Sequence, residues 1–286
     1  MSVTGVPASR ARPPGPSGPV EALRPYWRIF VAGVREQARY VAATLGGLLA
    51  NTVFGLLKSA LLLAAVASAG GSFGGYTAPQ MATYVWLGQG LLGSVDLFGR
   101  SALAGRVKDG SVALDFLRPV DVQAAAVVSE VGRRVFALLP RGVPSVLIGA
   151  VFVGMAVPAS PPVLLLGALS ILLGITLSVA TVYLVAVSGF WLVDTRGVQT
   201  FYMVVSGFLA GLFVPITLFP DWLLVLAWST PFPAMLMFPI DVVSGRVGGW
   251  SAVGLVGAQL GWLTLVLVVG QVATRAGRRR LEVQGG

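Results

Sequence analysis

Six apolar stretches, each long enough to cross a hydrocarbon layer of about 30 Å, constrain this chain more than any other feature. They fall at 44–67, 81–98, 137–157, 163–188, 199–219 and 250–272, and the second is the shortest and most polar. Lipid offers no partner to a backbone N–H or C=O, so each stretch predicts a helix. The composition agrees: 56% of residues are hydrophobic and 11% charged, against about 25% charged in a soluble domain. The expectation is an all-α polytopic membrane protein with six transmembrane helices. With no His and no Cys, histidine acid–base chemistry, thiol nucleophiles, disulfides and the usual zinc and haem sites are excluded. An enzyme on lipid-linked substrates needs clustered acids at one membrane face, and the external side offers only Asp221 and Asp241. We expect no catalytic residues and no metal.

Orientation follows from the cations. Eighteen of the 20 Lys and Arg residues lie before the first stretch, between the second and third with the flank of the third that holds Arg141, between the fourth and fifth, or after the sixth. That predicts both termini in the cytoplasm. Residues 1–20, rich in Pro, Gly, Ser and Ala, read as a disordered tail rather than a cleaved leader. Residues 21–275 form the six-span unit, and 276–286 a basic tail. Arg278 to Arg280 read as a topology anchor and a contact for acidic lipids, not as a nucleic-acid site. From Arg24 to Tyr40, Ile29, Phe30, Gly33 and Val34 recur at helical spacing among Arg28, Arg35, Glu36 and Arg39. This predicts either an amphipathic helix lying in the headgroup plane or an extension of the first span.

Two connections carry further signals. In the loop over 100–122, Asp109 and Ser111 are helix-start residues, Val112, Phe116 and Leu117 make one apolar face, and Pro119 stops the helix. That face requires a cover: the membrane surface, the chain's own core or a partner subunit. Over 220–249, short apolar pieces are broken by Pro231, Pro233 and Pro239 and flanked by Trp222, Trp228 and Trp250. They predict short external re-entrant helices before the last span, or an interfacial loop. Asp221 and Asp241 read there as helix starts or solvated acids.

Lys58 is the one cation deep in a span, at roughly 14 Å by a rise of about 1.5 Å per residue. Gln89 and Gln259 fall at similar depth, and Asn51 shares the helix face of Lys58. A polar layer is expected, either as structural hydrogen bonding or as pathway lining, with snorkelling of Lys58 as the third reading. Gly207 and Gly211 make a GxxxG pair that permits close helix approach, within the chain or between subunits.

The run from Asp109 to Asp121, DGSVALDFLRPVD, preceded by AGRVK and by the YWRIF opening of the amphipathic helix, resembles the permeases of type-2 ABC exporters. The resemblance covers about residues 24 to 275. It implies that the N-terminal helix is an elbow. It further implies that Asp109, Gly110, Ser111, Val112, Asp115, Phe116, Leu117, Arg118 and Pro119 form a coupling helix docking on a cytoplasmic ATPase. It also implies a dimer interface involving spans one and five, which would include Gly207 and Gly211. The bias toward Ala, Gly, Val and Arg over Lys points to a GC-rich bacterial genome, and so to a bacterial plasma-membrane location. A phosphate-binding loop needs Gly-Lys followed by Ser or Thr, and the two lysines follow Leu57 and Val107. ATP and Mg would then be bound by partner ATPase subunits, and a second permease, non-identical or a second copy, would complete the pathway. The alternative is a stand-alone secondary transporter or channel, which calls for inverted repeats or intramembrane acids; Asp96 alone lies within a span.

Overall fold

The computed structural model describes residues 19–156, 160–192 and 194–284, so residues 1–18 of the tail expected over 1–20 lie outside the described residues, and its last two, Pro19 and Val20, begin the first helix. Eleven α-helices occur among them. The chain opens with α1 (Pro19–Ala38) and α2 (Val41–Ser68). A two-stranded hairpin follows, β1 (Ser72–Phe73) and β2 (Tyr76–Thr77). Its turn residues Gly74 and Gly75 both have positive φ, as a two-residue hairpin turn requires. In α3 (Ala78–Leu91), the Thr77 N–H donates to Gln80 Oε1 at 3.1 Å, closing the first turn.

Next come α4 (Ala102–Lys108), a 3₁₀ helix over Ser111–Leu117, and α5 (Val122–Ala137). A π turn over Leu138–Gly142 leads into α6 (Val143–Phe152) without a break in the helical run. Pro140 lies in that turn, and its missing N–H gives a local reason for the i→i+5 pattern. The remaining helices are α7 (Pro161–Val187), α8 (Arg196–Leu209), α9 (Asp221–Trp228), α10 (Phe232–Val243) and α11 (Gly249–Gln284).

Among the described residues, four helical runs are long and apolar enough to cross a membrane: Gly46–Ser68, Val122–Phe152, Pro161–Phe190 and Gly249–Arg280. The stretches at 81–98 and 199–219 behave differently from the expectation. Each begins as a 14-residue helix, α3 or α8, about 21 Å long. Each then continues as irregular backbone inside the bundle. Such backbone is tolerated at membrane depth only where the protein supplies its hydrogen bonds, and here it does. In the first segment, Asp96 N–H donates to Ser178 Oγ at 3.0 Å, while the Asp96 and Leu97 carbonyls accept from Tyr202 and Ser206, both at 2.9 Å. In the second, the carbonyls of Gly211 and Leu212 accept from Tyr84 at 2.6 Å and Lys58 at 2.6 Å.

α9 and α10 meet at 98°. Thr217 bonds the Gly74 carbonyl just before α9, and Tyr76 bonds Asp241 near the end of α10. Both ends of the pair therefore sit at the hairpin end of the bundle. At the bend, Phe232 reaches inward to Tyr202, with ring centroids 5.9 Å apart. The core is built around α3, α7 and α10, where Trp86, Tyr84, Met81, Ile175, Met235 and Ile240 are fully buried. Leu49, Leu61, Val151, Leu165 and Val272 stand exposed on the outer helices, as lipid-facing residues do.

The end opposite the hairpin is basic and collects both described termini. Tyr26 of α1 accepts from the Asp121 N–H, Gln271 of α11 donates to Asp121, and Arg278 lies over the Phe116 ring.

Candidate functional site

The basic end presents one pinned segment. Ser101 caps α4 by accepting the Leu103 N–H at 3.2 Å. Asp109 then accepts both the Ser111 hydroxyl, at 2.6 Å, and the Ser111 N–H, at 2.9 Å, while Gly110 takes φ +77°. Those bonds, the hydroxyl's first, hold the Asp109 carboxyl below the usual carboxylate range. Asp115 binds Arg106 at 3.0 Å and Arg118 at 3.5 Å. Lys108 reaches Asp194 at 3.3 Å, tying the segment to the connection between α7 and α8.

The secondary structure here corrects the expected face. The α-helix ends at Lys108, before Asp109, and residues 111–117 form a 3₁₀ helix. With three residues per turn, positions i and i+3 eclipse. Val112 is therefore buried with Leu103, Val107 and Val127, and Phe116 packs against that cluster from the side. Leu117 falls on the other face with Leu114; they are 81% and 63% exposed. The expected trio of Val112, Phe116 and Leu117 is split, and the outward apolar surface is Leu114 and Leu117, flanked by exposed Arg118 and Pro119.

Behind this segment α1 lies against α5. A Cβ on Gly33 would collide with the Ser129 carbonyl, and one on Gly132 with the Phe30 carbonyl. The paired glycines bring the two backbones together, and Arg133 adds an ion pair to Glu36 at 2.7 Å. α11 supports the other side: Gly277 admits the Phe190 ring, where a Cβ would clash.

The residues expected to form one polar layer occupy three places. Asn51 donates to the Gln89 carbonyl at 2.8 Å and accepts from Arg141, also at 2.8 Å. Lys58 lies two turns away, bonded to Leu212 and, at 3.2 Å, to the Tyr84 hydroxyl. Gln259 is elsewhere, joining Ser170 at 2.8 Å and the Ala234 carbonyl at 2.8 Å. Among the described residues no carboxylate lies within ion-pair distance of Lys58. Its ammonium sits where α8 ends, at the negative pole of that helix. Lys58→Met removes the donor to the part-buried Leu212 carbonyl and is expected to destabilise the chain by about 1–3 kcal/mol. Thermal unfolding in detergent checks this, with Lys58→Arg expected to retain most of the stability.

Gly207 and Gly211 do not form a helix-packing pair. Gly211 has φ +75° and stands outside α8. The Leu212 N–H donates to Gly207 O at 3.1 Å and the Gly211 N–H to Phe208 O at 3.1 Å, the two bonds of a glycine-stopped helix end. Both glycines are buried in their own chain; α8 instead exposes Phe201, Val204 and Phe208.

Several buried ion pairs were not visible in the sequence. Asp96, in the irregular backbone after α3, is 1% exposed and held by Arg134. Arg133 and Arg134, which precede the third apolar stretch, and Arg141, which falls inside it, all lie within the continuous helical run from α5 to α6. Asp241 is neither a helix start nor solvated. It is buried in the last turn of α10, accepts the Tyr76 hydroxyl at 2.5 Å and pairs with Arg246. Beside this carboxylate, burial and the Asp241 charge push the Tyr76 hydroxyl well above the usual tyrosine range. Among the described residues no three Asp or Glu side chains gather to hold a metal.

The family model for ABC-2 family transporter proteins matches residues 53–285. The chain therefore belongs to the ABC-2 transporter family, whose members generally serve as the membrane component of ABC transporters and work with an ATPase subunit. Its multi-pass helical architecture agrees with that membership. No curated protein and no solved structure matches the chain.

Proposed function

We propose that this chain is the permease subunit of an ATP-driven exporter in the bacterial plasma membrane, coupled to separate ATPase subunits that bind ATP and Mg. In this reading the basic end is cytoplasmic. The chain passes the membrane six times, with the α3 and α8 passes completed by irregular backbone, and α9 and α10 form an external re-entrant pair. The observation that carries the reading is the exposed pair Leu114 and Leu117 on a segment fixed by Asp109, Asp115 and Lys108. A solvent-facing loop gains nothing from two exposed leucines, whereas a rigid apolar tip ringed by Arg118, Arg106 and Lys108 suits a groove on a partner protein. A second permease, a different chain or another copy, would cover the apolar faces of α2 and α8, where Leu57, Leu61, Phe201 and Val204 stand exposed.

The test is co-purification of an ATPase subunit with variants of the tip. Leu114→Asp/Leu117→Asp is expected to reduce recovery at least about tenfold, since each leucine buried at an interface contributes roughly 1.5–3 kcal/mol. Thermal stability should stay unchanged because both side chains are exposed. Phe116→Asp should instead lower stability, because that ring packs inside the chain. Undiminished ATPase recovery with the double leucine variant would sink this assignment of the docking surface.

A further inference from the structure

A cavity of about 720 Å³ opens at the basic end, between α1, α4, the 3₁₀ segment, α5 and α7. That is within the roughly 300–1,000 Å³ of small-molecule sites. Its two walls differ in chemistry. Leu103, Val127, Val179 and Val182 give an apolar floor, and Val179 to Val182 lie about 8–12 Å inside the end of α7. The rim carries four arginines. Arg133 is held by Glu36 and Glu130, and Arg106 by Asp115. Arg118 shares that same Asp115, at 3.5 Å, and Arg100 makes no ion pair among the described residues. The rim therefore has four cations against three carboxylates, with the surplus on the two exposed arginines. An apolar pocket entered past an uncompensated positive rim, at the level where helices leave the membrane, matches an anionic amphiphile.

We propose that this cavity binds an anionic phospholipid from the adjoining leaflet. Its phosphodiester would lie against Arg100 and Arg118, and its glycerol and first acyl carbons on Leu103, Val127, Val179 and Val182. Arg118 and Pro119 belong to the segment that carries Leu114 and Leu117, while Ile29 and Glu36 belong to α1. A lipid seated here joins the elbow helix to the proposed coupling tip. The proposal rests on the membrane reading of the chain but not on the ATPase, and its test uses the permease alone.

The experiment titrates the purified full chain in detergent with phosphatidylglycerol, phosphatidylcholine or glycerol 3-phosphate, following bound ligand by native mass spectrometry. Phosphatidylglycerol should bind at least about tenfold more tightly than phosphatidylcholine. Each arginine near an anionic headgroup is worth about fivefold, so Arg100→Gln/Arg118→Gln should weaken phosphatidylglycerol about thirtyfold. Ala125→Phe, which fills the cavity without touching a charge, should also abolish the preference. Arg196→Gln/Arg275→Gln removes two exposed charges from the same end, neither of them lining the cavity, and should leave binding intact. The proposal is overturned if the Arg100/Arg118 variant binds like the wild type, or if the Arg196/Arg275 variant loses affinity equally. It is also overturned if glycerol 3-phosphate competes as well as the lipid, which would make the ligand a soluble phosphate.

Discussion

Arg134→Met is expected to cost about 3–5 kcal/mol, enough to remove most of the folded protein from the membrane. Arg134 sits on α5 and reaches across to Asp96 on the irregular segment after α3, and it also binds Glu130 at 2.8 Å. Asp96 is buried, and its carboxylate accepts the N–H groups of Phe98, at 3.0 Å, and Gly99, at 3.2 Å. That carboxylate holds the segment in shape, and Arg134 is the charge that makes its burial tolerable. Removing the cation leaves an uncompensated buried charge, whereas removing both charges does not. Arg134→Met/Asp96→Asn should therefore recover at least half of the loss, because an asparagine oxygen still accepts the two amides. Unfolding in detergent across the four members of this cycle reads the coupling. A single-variant loss below about 1 kcal/mol would mean that Asp96 is solvated rather than buried in the folded protein.

Gly33→Leu is expected to lift α1 from α5. The side chain meets backbone rather than another side chain, since a Cβ on Gly33 already strikes the Ser129 carbonyl. A rotamer change in a neighbour cannot relieve that clash, so the cost belongs at or above the upper end of about 1–3 kcal/mol for overpacking. Gly132→Leu should do the same from the other side, at the Phe30 carbonyl. The loss should be local. Hydrogen exchange over residues 26–37 and 126–134 should rise by roughly two orders of magnitude, following the lost contact energy. The α7–α10 core should keep its protection. Uniform loss of protection would instead show that α1 is required for the whole bundle.

What the sequence made legible, and what it did not, follows from the physics of each element. α2, α7 and α11 are long apolar runs with no internal alternative, so length alone finds them. The face of α1 was readable because Ile29, Phe30, Gly33 and Val34 recur at helical spacing, and in the fold that face meets α5. α3 and α8 were not readable as half-helices. Their later residues, such as Leu97, Ala210 and Phe219, are apolar because they are buried, not because they are helical, and hydropathy cannot separate the two. Gly211 shows the difference: spaced four from Gly207 it reads as a packing pair, yet its positive φ ends the helix. Long-range pairs were equally hidden. Nothing local joins Tyr76 to Asp241 or Asp96 to Arg134, and Asp241 looks like any loop acid until α10 carries it inside. The split of Val112 from Leu117 turns on a 3₁₀ rather than an α period over seven residues, too short a run for periodicity to decide.

The central claim is that the tip formed by Leu114 and Leu117 docks on an ATPase, and the absence of cysteine from this chain makes one measurement decisive. A single Leu117→Cys offers the only thiol, to which a maleimide photo-crosslinker can be attached in native membranes. Illumination should join this position to a polypeptide bearing a Gly-Lys-Ser/Thr phosphate-binding loop. The same probe on Leu61→Cys, on the exposed face of α2, should capture no such subunit. If the Leu117 probe captures no ATPase while the protein remains folded, or if the Leu61 probe captures it instead, the basic end is not the coupling surface and the permease account fails.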